Sequence, residues 1–177
     1  FRVQRGDILL EGRPMRDFDL SPLSFLVVDD NHHMISILRE LLRALGAGTV
    51  HDARDAADAF EIVRSSPIDI AIVDYLMEPL DGLDFIRLIR TAKDSYDPEL
   101  PILLLTAHTE RARIQEARDA GASNVVRKPI SAQRLYQRIQ ALLQINRRFI
   151  KTPHYTGPDR RRHRPKPHSG PDRREDA

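Results

Sequence analysis

Phe25-Leu26-Val27-Val28-Asp29-Asp30 is a continuous apolar run closed by two acids. A run without alternation suits a strand buried on both faces, as in a parallel sheet. After the acids the period switches: Met34, Ile35, Leu38, Leu41, Leu42 and Leu45 recur at helical spacing, and Gly46 and Gly48 close the helix. The same strand-then-helix alternation repeats along the chain. Thr49-Val50-His51 reads as a short strand, and Ala56, Ala57, Ala59, Phe60, Ile62 and Val63 as a helix that Pro67 ends. Ile68 to Asp74 is a third strand, again ending in an acid, and Leu83, Phe85, Ile86, Leu88 and Ile89 mark the next helix. Ile102 to Thr106 is a fourth strand, and Glu110 to Ala120 a helix stopped by Gly121. Val125 to Lys128 is a fifth strand, and Ser131 caps a last helix through about Asn146, with Leu135, Ile139, Leu142 and Leu143 inward.

Five strands alternating with five helices predict an α/β fold, a doubly wound five-stranded parallel sheet flanked by five helices. The flavodoxin-like strand order 2-1-3-4-5 is expected, although periodicity alone does not select it. The organisation expected is a lead segment over 1–23, a folded domain over 24–146, and a basic, unstructured tail over 147–177. The lead mixes charges with Gly12, Pro14 and Pro22 and is expected to pack on the domain or on a partner. The tail repeats Gly157-Pro158-Asp159-Arg160-Arg161 as Gly170-Pro171-Asp172-Arg173-Arg174 and carries too little apolar surface to fold alone.

The 177 residues carry a formal charge of only +2. Lys151 to Ala177 hold eight basic and four acidic side chains, so the basic character belongs to the tail and not to the fold. There is no cysteine, which excludes disulfides, thiolate metal sites and cysteine nucleophiles. No apolar run approaches the roughly 20 residues of a membrane-spanning helix. Phe1 to Leu10 has no signal-peptide pattern, so a soluble, cytoplasmic protein is expected.

The chemistry converges on one edge of the predicted sheet. Asp29 and Asp30 end the first strand, Asp74 the third, Thr106 the fourth and Lys128 the fifth. In an open parallel sheet, the strand carboxyl ends near the switch point line the binding crevice. Three crowded carboxylates repel and raise one another's pKa unless a cation intervenes, and a hard divalent ion such as Mg²⁺ suits an oxygen donor set. Thr106 could donate to a phosphoryl oxygen, Lys128 could supply a point charge, and an Asp carboxylate can act as a phosphoryl-accepting nucleophile.

At this point the sequence resembles the receiver domains of response regulators. Phe25-Leu-Val-Val-Asp-Asp-Asn31, Asp74, Asp81-Gly82, Thr106-Ala107 and Lys128-Pro129 are similar to the five signatures of that family, in order, over about residues 24–146. The resemblance implies that Asp74 is phosphorylated by a histidine kinase or phosphotransfer protein. It implies that Asp30 ligates Mg²⁺ directly, Asp29 through water and Leu76 through its backbone carbonyl. It implies that Thr106 swings toward the phosphoryl group, that Lys128 pairs with it, and that the Lys128–Pro129 bond is cis. Such a protein is a phosphoacceptor switch and not an enzyme, though able to promote its own phosphorylation and dephosphorylation.

Two departures stand out. Val125 occupies the place where the family often has an aromatic residue, so a Thr–aromatic switch cannot work in its usual form. The family's Met-Pro is altered to Met77-Glu78-Pro79. Leu76 and His108 sit where the family tunes phosphate lifetime. The face built from the fourth helix, fifth strand and fifth helix, with Arg111, Arg113, Arg118, Val125, Arg127 and Gln133, is expected to meet a protein partner.

Other chemistries compete for the same residues. Asp29, Asp30 and Asp74 could merely cap helices. An aspartate-nucleophile phosphatase would want an acid two residues after its nucleophile, where Asp29 has Asn31. His32-His33 could suggest a transition-metal site, but first-turn residues facing solvent are the simpler reading, and His154, His163 and His168 have no ligand spacing. A nucleic-acid-associated regulator acting through the tail is weakened by the interleaved acids and by the lack of a folded reader. Specific DNA recognition is therefore not expected, and an acidic protein partner for the Gly-Pro-Asp-Arg-Arg repeats is the alternative. A pseudo-receiver scaffold would not need the intact acidic set.

Overall fold

The structure is a computed structural model. It describes residues 9–10, 13–14, 18–107, 110–144, 149–152 and 155–159. Five strands, β1 (Ser24–Val28), β2 (Thr49–Ala53), β3 (Ile70–Asp74), β4 (Ile102–Thr106) and β5 (Asn124–Arg127), form one sheet in the order β2-β1-β3-β4-β5. Every pairing in it is parallel. The helices α1 (His32–Ala44), α2 (Ala56–Ser65), α3 (Gly82–Thr91) and α4 (Arg111–Ala120) are the crossovers, and α5 (Ala132–Gln144) follows the last strand. The doubly wound fold and its strand order are those read from the sequence.

Alternation along the strands divides the core in two. Leu26, Val28, Ala71, Val73, Ile102 and Leu104 face α2, α3 and α4. Phe25, Val27, Ile70, Ile72, Leu103, Leu105 and Val126 face α1 and α5. Every residue of β3 and β4 is buried, which is why these strands read as unbroken apolar runs. Helix starts are set by short polar side chains. Asn31 accepts from His33 N, Asp55 from Asp58 N and Asp81 from Asp84 N, each satisfying an amide with no partner inside its helix.

α4 is anchored differently. Its N-cap Glu110 makes no side-chain capping bond, and only Ala117 and Ala120 are buried. It ends on Gly121 at φ 105, a left-handed conformation that glycine adopts without a Cβ penalty.

Boundaries shift modestly from expectation. β5 spans Asn124–Arg127, leaving Lys128 just beyond it, with Lys128 N still donating to Thr106 O at 2.8 Å. The lead segment does pack on the domain where it is described: Leu20 is buried in the α1–α5 cluster, and Phe18 N donates to the Tyr136 hydroxyl at 2.9 Å. Further upstream, Leu9–Leu10 pairs antiparallel with Arg13–Pro14.

The expectation of an unstructured tail over 147–177 is corrected at its start. β6 (Phe149–Thr152) and β7 (Tyr155–Pro158) form an antiparallel hairpin. Gly157 and Pro158, the first two residues of the first repeat, are buried in it. The physical reason is a non-local partner. The Phe149 ring lies 5.0 Å from the guanidinium carbon of Arg90, and Gly121 leaves room for the Thr156 carbonyl. A short segment with little apolar surface is thus held by a seat on α3 and the α4–β5 turn that periodicity within the segment cannot reveal. The second repeat, Gly170 to Arg174, lies outside the described residues.

Candidate phosphoacceptor site

The carboxyl ends of β1 and β3 meet at the middle of the sheet, where the strand order reverses, and those of β4 and β5 follow on the β3 side. Because β1 and β3 are adjacent, Asp29, Asp30 and Asp74 offer oxygens that all lie within 4.8 Å of one another. Asp29 is 1% exposed and Asp74 9%, whereas Asp30 faces solvent. Lys128 reaches back from the end of β5, and its Nζ lies 3.0 Å from Asp29 Oδ2 and 2.9 Å from Asp74 Oδ1. Thr106 is 3% exposed at the end of β4. The five side chains singled out at the strand ends are therefore gathered at one edge.

Backbone amides hold the two buried acids in place. Asn31 N donates to Asp29 Oδ1 at 2.9 Å, and Tyr75 N donates to Asp74 Oδ1 at 2.8 Å while also reaching Leu105 O. The Asp81-Gly82 pair has a structural reason. Asp81 caps α3, and Gly82 N donates to Tyr75 O at 3.0 Å. A Cβ at Gly82 would collide with the Asp74 carbonyl oxygen, so glycine lets α3 begin directly against the end of β3.

Burial pushes the Asp74 carboxyl above its ordinary pKa, with the charge of Asp29 adding to the effect and Lys128 and the Tyr75 amide opposing it. Burial would lower the Lys128 ammonium, but hydrogen bonds and charge from Asp74 and Asp29 outweigh it and hold the group above its usual value. The donor set fits a hard cation: three carboxylates, two of them desolvated, with one ammonium between them and one carboxylate open to water.

These directions set a pH dependence of stability. An acid whose folded-state pKa is raised favours the folded state only below the unfolded value, and that advantage fades as pH rises through the folded pKa. Asp74→Asn has no such penalty. Without divalent cation it should melt above the wild type at pH 7, and the gap should close as pH falls into the ordinary carboxylate range. Thermal unfolding across pH 4–7.5 checks this, and a gap that does not change with pH would contradict it.

Other residues named from sequence are more scattered. The Leu76 side chain, two residues after Asp74, is 56% exposed. Val125 is partly buried against the α2–α4 side of the core, while Arg111, Arg118, Arg127 and Gln133 are exposed. Arg113 is tied to the Tyr75 hydroxyl at 3.1 Å. His32 and His33 stack on each other at 3.9 Å and face solvent. His108, His154, His163 and His168 lie outside the described residues. The Lys128–Pro129 bond is cis, and so is Glu78–Pro79, in the altered loop.

Sequence reasoning missed two residues. Tyr75 is 2% exposed and carries a hydroxyl 3.1 Å from Glu116 Oε2 on α4. Arg90 is 2% exposed, and its guanidinium donates to the carbonyls of Pro98, Leu100 and Gly121 at 2.8–3.2 Å. Burial pushes its pKa down to about 10. A signal for Arg90 was present: it continues the inward spacing of Leu83 and Ile86 on α3.

Comparison with known proteins meets this geometry. The family described as response regulator receiver domain matches residues 25–140. The chain belongs to the response-regulator receiver family. It is similar to chemotaxis protein CheY of Pseudomonas aeruginosa, 34% identical over 122 residues, covering 69% of this chain and 97% of that protein. It is also similar to chemotaxis protein CheY-3 of Vibrio cholerae, at 30% identity over 69% of this chain and 92% of that one. Among solved structures, a putative response regulator from Chloroflexus aurantiacus superposes with a TM-score of 0.64 and 28% identity, covering 70% of this chain and 98% of that chain. Vibrio cholerae chemotaxis protein CheY4 gives 0.62 and 26%, over 68% and 98%. As a receiver, the protein is a phosphorylation-dependent signalling switch, with the acidic cluster that the family uses to bind Mg²⁺. Among the described residues, no helix is long and apolar enough to cross a membrane.

Proposed function

We propose that Asp74 is the phosphoacceptor and that Lys128, Thr106 and a Mg²⁺ ion held by Asp29, Asp30, Asp74 and the Leu76 carbonyl complete the site. The observation that carries this reading is the position of Asp74, buried beside Asp29 and the Lys128 ammonium at the switch point of the sheet. The donor is a histidine kinase or phosphotransfer protein in a cytoplasmic setting. An Asp74 carboxylate oxygen attacks phosphorus, the bond from phosphorus to the donor imidazole nitrogen breaks, and that nitrogen keeps the electron pair. The product is an acyl phosphate on Asp74.

The chain's own groups do most of the positioning. The Tyr75 amide fixes one Asp74 oxygen and leaves the other to react. Lys128 neutralises charge on the transferring oxygens, and the Thr106 hydroxyl donates to one of them. Mg²⁺, when bound, offsets the repulsion between carboxylates and phosphoryl oxygens. Phosphorylation then biases a two-state arrangement of α4 and its neighbours. The exposed Arg111, Arg118 and Arg127 fit a downstream protein with an acidic contact surface, and output passes by contact. The names of the chemotaxis relatives favour motility control or signal relay as the setting.

Intact mass after incubation with Mg²⁺ and acetyl phosphate tests the reading, with Asp74→Asn as control. The expected result is a Mg²⁺-dependent gain of one phosphoryl group, absent in the control. A folded protein that gains nothing would point instead to a scaffold that carries the acidic set without using it.

A further inference from the structure

α4 buries too little of itself to be held by its own apolar face, since only Ala117 and Ala120 are covered and its start lacks a side-chain cap. Two ties from elsewhere hold it. The first comes from the acceptor strand. Tyr75 comes directly after Asp74, and its amide bonds the Asp74 carboxylate. Its buried side chain crosses to α4, where the hydroxyl lies 3.1 Å from both Glu116 Oε2 and Arg113 Nη1, with the Arg113 guanidinium 5.8 Å from the ring centre. The second tie is at the far end. The Gly121 cap accepts from Arg90 Nε and Nη2, and the β6–β7 hairpin seats on the same two residues, with Phe149 over Arg90 and Thr156 against Gly121.

Resting on the proposed acceptor role of Asp74, we propose that α4 is a lever joining the phosphoacceptor to the C-terminal hairpin, with Tyr75 as the input tie and the Arg90–Gly121 seat as the output tie. Any displacement of the Asp74 carboxylate pulls on the Tyr75 amide that bonds it. The Tyr75 ring is packed in the core beside α3 and α4, so the movement is passed to the Glu116–Arg113 pair. α4 has little burial of its own to resist, and its C-terminal cap is part of the hairpin's seat. This route needs no aromatic residue at Val125, and it ends on a segment outside the receiver core. The first Gly-Pro-Asp-Arg-Arg repeat begins inside β7, so the route ends on the repeated segment itself. The repeat is longer than five residues: Tyr155-Thr156 and His168-Ser169 precede the two copies in register, so each is a ring-bearing residue, a hydroxyl residue and then Gly-Pro-Asp-Arg-Arg. The copy that is described uses its tyrosine to close the strand, the Tyr155 hydroxyl donating to Pro158 O at 2.9 Å.

The test is hydrogen exchange on the full chain with Mg²⁺, with and without acetyl phosphate, the intact mass being read on the same samples. In the wild type, a phosphoryl gain should change exchange about fivefold or more in peptides over both 111–121 and 149–159. The double variant Arg113→Ala, Glu116→Ala should still gain the phosphoryl group but lose the change at 149–159. Phe149→Ala, with no phosphodonor, should speed exchange over 111–121 by a similar factor and leave 32–44 unaltered. A wild type that is phosphorylated with the hairpin unchanged overturns the lever while leaving the acceptor role intact, and so does Phe149→Ala without effect on α4. A folded wild type that gains no phosphoryl group overturns the acceptor role and, with it, the route from Asp74.

Discussion

Lys128→Met is expected to lower the stability of the cation-free protein by about 2–3 kcal/mol at pH 7, and Mg²⁺ is expected to return most of that loss. The Lys128 ammonium is bonded to both buried acids, at 3.0 Å from Asp29 and 2.9 Å from Asp74. Removing one partner of a fully buried pair costs about 3–5 kcal/mol because the other charge is left uncompensated, and the figure is lower here because the lysine side chain is 21% exposed. The pH dependence has a definite sign. The folded-state pKa of Lys128 is raised, so its contribution is complete throughout the neutral range and is lost only as pH rises through that value. In the variant, Asp74 loses the group that opposed its upward shift. The deficit should therefore shrink as pH falls and Asp74 takes up a proton. A divalent cation at about 100 times its Kd adds about 2.7 kcal/mol to the folded state. With less competition from an ammonium, the variant should gain at least as much as the wild type. Urea unfolding at pH 5 and pH 7, with and without Mg²⁺, reads all of this. A deficit indifferent to both pH and Mg²⁺ would mean that Lys128 matters through its packing stem. Phosphoryl gain from acetyl phosphate should also slow by about 100-fold, the usual scale for removing a group that stabilises developing charge.

Gly82→Ala is expected to cost about 3 kcal/mol and to lower the melting temperature by roughly 6–12 °C. Gly82 is the first residue of α3, where alanine is ordinarily the better helix former. The penalty comes entirely from a neighbour. A Cβ there would strike the carbonyl oxygen of Asp74, with Leu104 Cδ1 close behind at 2.9 Å, and backbone cannot swing aside as a side-chain end can. Either the start of α3 retreats, breaking the Gly82 N to Tyr75 O bond, or β3 shifts. Both displace Asp74, so phosphoryl gain should fall together with stability. Thermal unfolding and the acetyl phosphate reaction measured on one preparation check the pairing. A variant that melts like the wild type would show that the contact relaxes without cost, and the glycine would then need another explanation.

The doubly wound fold was legible because its signals are local. Runs such as Ile70 to Val73 and Ile102 to Leu105 lack alternation, which only a strand covered on both faces requires. Asn31, Asp55 and Asp81 mark helix starts because an amide with no partner inside its helix takes the nearest short acceptor. The site was legible for the same reason. Parallel strands all end at one edge, so acids, a threonine and a lysine at strand ends must converge, whatever the distances turn out to be.

What the sequence could not carry is whatever depends on contacts between distant segments. Nothing within Phe149 to Asp159 says that it pairs as a hairpin, since the seat is made by Arg90 and Gly121, 59 and 28 positions before Phe149. Tyr75 reads locally as one more residue after a strand, and its tie to Glu116 exists only because α4 packs against α3 and β5. By itself the sequence determined the order of elements, the edge where the chemistry gathers and the identity of the groups there, because periodicity and strand ends are properties of neighbours in the chain. The tertiary structure alone decided that Lys128 bridges both acids, that Gly82 must be bare and that the hairpin seats at the C-terminal end of α4, because each is a distance between groups that only folding brings together.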